Sequence, residues 1–168
     1  YSLCAKIKDK LLLNYLYLVV AYGVYPLLIG FLISSNQVLV TSSLAGLLIL
    51  LFILFLDLAI APSKDIEDAE GDRITGKRTL PNVFGEIFTL KFQTIIFLLA
   101  TALAISLIWV NPRFWLSAPV ILLCLVAIYI VRKRRRITDP YPQFHHDLAL
   151  ISFAIRMSLA FVWMIKPA

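Results

Sequence analysis

Five long apolar stretches limit most tightly what this chain can fold into. Crossing the hydrocarbon core of a bilayer takes about 20 mostly apolar residues in helical form. The stretches of that length, or close to it, are Leu11–Ser34, Val38–Ile60, Ile87–Val110, Phe114–Val131 and Asp147–Ile165. Hydrophobic residues make up 61% of the chain, a surplus too large for the core of a 19.0 kDa soluble domain. The sequence therefore predicts an all-α, polytopic transmembrane helical bundle with five spans, formed as a single domain over residues 1–168.

The hydrophobic composition and the cysteine count exclude a disulfide-stapled secreted domain. Cys4 and Cys124 are the two cysteines, and neither lies in a CxxC pair. The start of the chain lacks the charged segment, short apolar stretch and small-residue cleavage site of a signal peptide. Since the chain begins at Tyr1 rather than Met, we expect it to be a piece of a longer protein.

Basic residues cluster in three segments that five spans would place on the same side of the membrane. These segments are residues 1–10, residues 61–86 and Arg132–Arg136, and they hold most of the 16 lysines and arginines. The opposite side has only Arg113 and Lys166. Because cytoplasmic loops carry an excess of Lys and Arg, the three segments are predicted to face the cytoplasm. The charge of +6 then indicates contact with anionic membrane lipid, and no nucleic acid or protein partner is inferred.

The connection after the second span, residues 61–86, carries six of the ten acidic residues. Ser63 is the expected N-cap of a short helix there. On such a helix Asp65, Asp68 and Asp72 are spaced i, i+3, i+7 and share one face, whereas the intervening glutamates point away. Three carboxylates on one stripe repel each other unless a cation lies among them. Mg²⁺ suits this position, since one or two carboxylates and substrate phosphates typically hold it.

Three basic residues follow the acidic stripe, namely Arg73, Lys77 and Arg78. Their side chains are suited to binding phosphate oxygens. An acidic stripe followed by a basic one predicts a site for a complex of Mg²⁺ with a diphosphate. The alternative is a charged loop that is simply solvated between two spans, although solvation alone would not sort Asp from Glu by helix face. The ligand spacing of an EF-hand loop is absent.

The residue types and spacing of this stretch resemble a motif of a known family. Lys64-Asp-Ile-Glu-Asp-Ala-Glu-Gly-Asp72, followed by Gly76, Thr79-Leu80-Pro81 and Gly85, closely resembles the second aspartate-rich motif of the UbiA superfamily of intramembrane prenyltransferases. The motif is highly specific in both its residue types and its spacing.

A second landmark agrees with this resemblance. Tyr1-Ser2, followed by Lys6 and Lys8, is similar to the Tyr-Ser…Lys signature that precedes the fifth span of the family. On that registration the chain covers spans five to nine. The first aspartate-rich motif, expected before Tyr1, is then missing, so we expect the chain alone to be inactive.

The resemblance implies a helical bundle with a cytoplasm-facing cavity. In this family, aspartates from both motifs hold Mg²⁺ against an isoprenyl diphosphate, and basic residues help to neutralise the leaving group. Carried over by position, Asp65, Asp68 and Asp72 are the expected catalytic and metal-binding residues. The residues expected to bind the diphosphate are Tyr1, Lys6, Lys8, Arg73, Lys77 and Arg78.

Polar and aromatic side chains of the first span are candidates for the cavity wall. Asn14, Tyr15, Tyr22 and Tyr25 fall within an arc of roughly 100° on a helix, and electron-rich rings would suit a carbocation. Of these, Asn14, Tyr22 and Tyr25 are the candidates for the cavity wall. The alternative is an interfacial aromatic belt, where tyrosines such as Tyr15 and Tyr17 are expected.

The predicted function is the Mg²⁺-dependent transfer of an isoprenyl group from a prenyl diphosphate to an acceptor, with release of diphosphate. The motif is similar to members that use aromatic acceptors of the quinone, tocopherol and chlorophyll type. It is equally similar to members that use a glycerol-phosphate lipid, so the acceptor class stays open.

Two other classes of protein remain as alternatives. A CDP-alcohol phosphotransferase also has clustered aspartates, but its pattern needs a Gly directly after the second Asp, and here Ala69 follows Asp68. A non-catalytic transporter or scaffold with an acidic cation-binding loop is the second alternative.

Charged residues inside predicted spans are candidates for function because burying a charge in lipid is costly. Asp57 lies near the end of the second span, and we expect it to reach headgroups or to support the neighbouring loop. Arg156 lies near the middle of the last span and must face the bundle or a water-filled cavity, where a structural hydrogen-bonding role is favoured over substrate contact. The adjacent His145 and His146 do not share a helix face and make a poor metal pair.

Overall fold

The computed structural model describes residues 11–26, 29, 44–110, 118–136 and 143–164, with the side chains of 11–13, 22 and 160–164 left aside. All elements in these ranges are helical, which confirms the predicted all-α class. The elements are α1 (Leu11–Val19), a π-helical segment (Val20–Val24), α2 (Leu44–Glu67), α3 (Ala69–Ile74), α4 (Leu80–Phe84), α5 (Glu86–Val110), α6 (Ala118–Arg136) and α7 (Phe144–Met164).

Four long helices form the bundle. Helix α2 packs against α5, α5 against α6, and α6 against α7, which returns to contact α2, while α1 packs against α2. The fully buried side chains between the four helices include Phe52, Phe97 and Phe144. Large apolar side chains also point outward, among them Ile95 and Phe153. A bundle that is apolar inside and outside fits a hydrocarbon environment rather than water.

Two of the helices are long and apolar enough to cross a membrane, by length and composition: α2 and α5. They correspond to the second and third predicted spans. Helices α6 and α7 lie within or close to the fourth and fifth predicted spans. Of the first predicted span, Leu11–Ser34, the structure describes residues 11–26 and 29.

Helix α2 continues beyond its predicted end at Ile60, passes through Pro62 and ends at Glu67. The expectation that Ser63 would cap a new helix is therefore wrong, because Ser63 lies inside α2. Proline removes one backbone donor and disturbs the preceding turn. Here Ser63 Oγ donates a hydrogen bond to the carbonyl of Ile60 (2.7 Å), and the turn is held closed.

Neighbouring helices support the same turn of α2. Gln93 Nε2 of α5 donates to the carbonyl oxygen of Ala59 (2.8 Å). Ser63 Oγ also lies 2.7 Å from Nδ1 of His145 at the start of α7. The backbone N–H of His145 donates to Glu67 Oε1 (2.7 Å), so a side chain of α2 satisfies one of the free donors of the first turn of α7. These contacts fix the end of α2 that leads into the acidic stretch.

Helices α1 and α2 run antiparallel in a constant register. Tyr15 of α1 lies against Asp65, and Gly23 of the π-helical segment, eight residues further along the chain, lies against Asp57, eight residues earlier in α2. Asp57 Oδ1 pairs with Arg156 of α7. Arg156 therefore faces the bundle, as the sequence predicts, and Asp57 meets a cation there rather than headgroups.

The close contact at Gly23 generates a test of this packing. A Cβ atom at Gly23 would overlap Asp57 Oδ2, and the carboxylate is held by its ion pair with Arg156. We expect Gly23→Ala to destabilise the protein by about 1–3 kcal/mol, the usual range for overpacking a buried contact. The measurement is the thermal unfolding midpoint in detergent.

The matched control is Gly71→Ala, since a Cβ at Gly71 meets no atom within 4 Å. This change should leave the unfolding midpoint unchanged or raise it, because Ala favours a helix over Gly. Equal midpoints for the two variants would contradict the close packing of α1 on α2.

Candidate active site

The three aspartates predicted to share a helix face lie where α2 passes into α3. Asp65 belongs to the last turn of α2, Asp68 lies at the junction, and Asp72 belongs to α3. Backbone hydrogen bonds from Asp68 N to Lys64 O and from Asp72 N to Asp68 O, both 2.9 Å, keep the helical spacing across the junction. The i, i+3, i+7 spacing of the carboxylates therefore holds in the structure.

The ammonium group of Lys77 lies between two of these carboxylates. Lys77 Nζ is 3.2 Å from Asp72 Oδ1 and 3.1 Å from Asp72 Oδ2, and it is 3.7 Å from Asp65 Oδ1. Partial burial alone would lower the pKa of Lys77. The hydrogen bond to Asp72 and the charges of Asp65 and Asp68 outweigh burial and raise that pKa, so Lys77 is a cation at neutral pH.

A glycine turn brings Lys77 back to Asp72. Gly76 has φ +71°, a left-handed conformation that glycine adopts without a steric penalty. The N–H of Gly76 donates to the carbonyl of Arg73 (3.2 Å), and the N–H of Lys77 donates to the carbonyl of Asp72 (2.9 Å). This pattern is the Schellman motif. The turn that ends α3 thus joins both the backbone and the side chain of Lys77 to Asp72.

Tyr15 reaches the site from α1 and contacts two separate segments. Its hydroxyl donates a hydrogen bond to Asp65 Oδ2 and accepts one from the backbone N–H of Leu80 (3.2 Å). The tyrosine is buried, with 4% of its surface exposed. Asp65 therefore has one carboxylate oxygen on Tyr15 and the other directed to Lys77.

The Thr79-Leu80-Pro81 segment starts the short helix α4. Thr79 is extended (φ −115°, ψ 163°) and buried, and Pro81 lies in the first turn of the helix, where a missing N–H costs no helical hydrogen bond. Gly85, with φ +85°, ends α4 and leads into α5. The extended Thr79 at the start of α4 places the N–H of Leu80 against the hydroxyl of Tyr15.

The glutamates of the stretch lie elsewhere. Glu67 accepts a hydrogen bond from α7, and Glu70 is exposed. Glu86 pairs with Arg134 of α6 (2.8 Å), so one member of the Arg132–Arg136 run joins two helices. Glu67 and Glu86 therefore make contacts away from Asp65, Lys77 and Asp72.

The carboxylates of Asp65, Asp68 and Asp72 are the candidates for holding a metal ion. Within the described ranges, no three His, Cys, Asp or Glu side chains converge as a metal-binding group. Asp65 and Asp72 nevertheless flank one cation position, which the Lys77 ammonium takes, and their oxygen atoms are the donors that Mg²⁺ prefers. The donor chemistry fits Mg²⁺, and the role of the three aspartates as its ligands stays a prediction.

The remaining predicted site residues differ in their exposure and in whether the structure describes them. Arg73 and Arg78 are exposed beside the cluster, Asn14 is half-buried on α1, and Tyr25 is exposed. Neither Asn14 nor Tyr25 hydrogen-bonds to the three carboxylates within the part of the chain that the structure describes. The predicted residues that lie outside the described ones are Tyr1, Lys6, Lys8 and the side chain of Tyr22.

Tyr15 lies on the arc of the predicted cavity wall, but it was not selected as a site residue because its place near the start of the span also fits an interfacial aromatic belt. One signal could have found it. Consecutive spans are commonly neighbours in space, and antiparallel neighbours bring the start of the first beside the end of the second. Tyr15 near the start of its span and Asp65 just beyond the end of the next are placed to meet in this way.

Comparison with known proteins identifies the family of the chain. No curated protein and no solved structure matches the chain. The model of the UbiA prenyltransferase family matches residues 1–163, nearly the whole chain. The helical membrane bundle and the aspartate-rich stretch thus have a common explanation: the chain belongs to the UbiA prenyltransferase family.

Proposed function

We propose that this chain takes part in the Mg²⁺-dependent transfer of an isoprenyl group from a prenyl diphosphate to a small acceptor, with release of diphosphate. The acceptor is an aromatic compound or a glycerol-phosphate lipid. The observation that carries the proposal is the Lys77 ammonium between the carboxylates of Asp65 and Asp72, in a chain whose family is that of the UbiA prenyltransferases. Family membership favours this function over a transporter, a scaffold or a CDP-alcohol phosphotransferase.

The proposed topology is a multi-pass bundle in which residues 61–86 form the catalytic connection on the cytoplasmic side. The support is the excess of lysine and arginine in the segments on that side. The acidic stretch follows directly after the apolar part of α2. A diphosphate at this level could keep its charged end near water while its isoprenyl tail enters the hydrocarbon.

The reaction breaks the bond between the allylic C1 carbon and the diphosphate oxygen, and the electron pair leaves with the diphosphate. The acceptor then supplies an electron pair to C1 and loses a proton. Negative charge thus increases on the diphosphate in the transition state, where positioned cations stabilise it more than in the substrate. The cations that follow the acidic stripe are Arg73, Lys77 and Arg78. Arg73 lies in α3, and Lys77 lies just after it.

Asp65, Asp68 and Asp72 are the residues of this chain that would hold Mg²⁺. When bound, Mg²⁺ supplies positive charge that stabilises the departing diphosphate. Lys77 is then free to exchange its carboxylate partners for a phosphate oxygen, which an ammonium on a flexible side chain can do.

The reaction and its acceptor class are tested by direct assay. The full-length protein is incubated with Mg²⁺, radiolabelled prenyl diphosphates of several lengths, and either phenolic or glycerol-phosphate acceptors. We expect label to move to one acceptor class and diphosphate to be released in equal amount. Transfer to neither class would contradict the proposed function.

The variant Asp68→Asn tests whether the carboxylate of Asp68 is needed for catalysis or for stability. Asp68 is exposed at the junction between α2 and α3, so we expect its unfolding midpoint to stay close to that of the wild type. Turnover should fall by about 100-fold or more, because charge stabilisation at the leaving group is lost. The control is Glu70→Gln, an exposed carboxylate two residues away. Equal turnover in Asp68→Asn and wild type would favour a non-catalytic acidic loop.

Lys77→Met tests whether the ammonium occupies the cation position of the site. Without it, Mn²⁺ alone should bind the protein about two- to fivefold more tightly, since a competing exposed charge is removed. Inorganic pyrophosphate, by contrast, should bind more weakly in the presence of Mn²⁺. Electron paramagnetic resonance of free Mn²⁺ measures both effects.

The matched control is Lys133→Met, which removes the same charge from an exposed lysine at the end of α6. Lys133→Met should change neither affinity. A loss of both Mn²⁺ and pyrophosphate binding in Lys77→Met, with none in Lys133→Met, would show that Lys77 does not compete with the metal ion.

A further inference from the structure

We propose that Tyr15 is a positioning residue of this site, acting through Asp65 and through the segment that carries Lys77 and Arg78. The inference rests on the proposed function, because it assigns Tyr15 the task of orienting groups that hold Mg²⁺ and diphosphate. It concerns a residue of α1 that lies outside the aspartate-rich motif, 50 positions before Asp65 in the sequence.

The hydroxyl of Tyr15 makes two hydrogen bonds. A phenol has one proton to donate, and it accepts through its oxygen lone pairs. Here the proton goes to Asp65 Oδ2, and the oxygen accepts from the N–H of Leu80 at 3.2 Å. Since the ring is buried, the hydroxyl has both partners inside the protein.

The two carboxylate oxygens of Asp65 have different partners. A hydroxyl that donates to a carboxylate makes a strong, charge-assisted hydrogen bond. Because Tyr15 holds Oδ2, the other oxygen, Oδ1, is turned toward the cation position, 3.7 Å from Lys77 Nζ. Loss of the Tyr15 hydroxyl would let the carboxylate rotate, and the direction of the ligand oxygen would no longer be fixed.

The segment between α3 and α4 is tethered at both ends. Its first end is fixed by the backbone and side-chain bonds of Lys77 to Asp72. Its second end is fixed by the bond from Leu80 to Tyr15. Lys77 and Arg78 lie within this short tethered segment, so the same hydroxyl that orients Asp65 also fixes the reach of the two cations.

A purely structural tyrosine would also be buried and hydrogen-bonded, so the test needs a measurement that stability alone does not move. Tyr15→Phe removes the hydroxyl and keeps the ring, and therefore keeps the packing. Tyr129→Phe is the matched control, because Tyr129 is exposed on α6. Each is made in the full-length protein, and the binding of Mn²⁺ in the presence of inorganic pyrophosphate is measured by electron paramagnetic resonance.

We expect Tyr15→Phe to weaken this binding by about 10-fold, the effect typical of losing a group that orients a metal ligand. Tyr129→Phe should bind as the wild type does. In the transfer assay, Tyr15→Phe should raise the Mg²⁺ concentration needed for half-maximal rate by a similar factor. Unchanged Mn²⁺ binding in Tyr15→Phe would overturn the inference, whether or not its unfolding midpoint falls.

A double-mutant cycle with Asp65→Asn gives a second, independent measurement. If Tyr15 acts through Asp65, the double variant should bind Mn²⁺ and pyrophosphate only slightly more weakly than Asp65→Asn alone. Independent, multiplying losses would contradict the route through Asp65. Failure of the proposed function itself looks different: the wild type would then bind no Mn²⁺ with pyrophosphate and transfer no isoprenyl group.

Discussion

The carboxylate of Asp65 is held from two sides, by the hydroxyl of Tyr15 and the ammonium of Lys77, and the geometry of the site depends on this pairing. Asp65 is largely buried, with 9% of its surface exposed. A buried charge is costly unless it is paired and hydrogen-bonded. Its partners come from α1 and from the turn after α3, so one carboxylate draws three segments of the chain together. The site is assembled where the apolar bundle ends because the partners of Asp65 meet there.

The helix that carries Asp65 is itself held rigidly. Pro62 would weaken an isolated helix at this point, but Ser63, Gln93 and the start of α7 satisfy or cover the affected turn. A site built on packed helices keeps its ligands in position better than a site on a free loop. The acidic stretch therefore continues α2 into the short helix α3. The turn at Gly76 then directs Lys77 back toward Asp72.

Much of this arrangement follows from local sequence. The apolar stretches predict the helices, because their length and composition leave few other solutions. The i, i+3, i+7 spacing of the three aspartates predicts their shared face, which the continuous backbone hydrogen bonds preserve. Glycine at position 76 fits the left-handed turn that the structure shows. In each case the cause lies within a few residues of the effect.

Other features depend on partners far apart in the chain, and local sequence could not give them. The passage of α2 through Pro62 needs acceptors and donors from α5 and α7. The Tyr15 contact joins residues 50 positions apart, and the pairing of Asp57 with Arg156 joins residues 99 positions apart. Charge alone indicates that Arg156 needs a partner in the bundle, whereas only the packing of α2 against α7 identifies it.

We propose that the carboxylates beside Lys77 and Tyr15 bind a metal–diphosphate complex. The most direct measurement is a structure of the full-length protein with Mn²⁺ and a non-hydrolysable prenyl thiodiphosphate, with the metal located by its anomalous signal. If these carboxylates bind the complex, we expect Mn²⁺ to contact Asp65 and Asp72 and the diphosphate to lie within reach of Lys77. A metal peak and a diphosphate elsewhere, with these carboxylates still paired only to Tyr15 and Lys77, would contradict it.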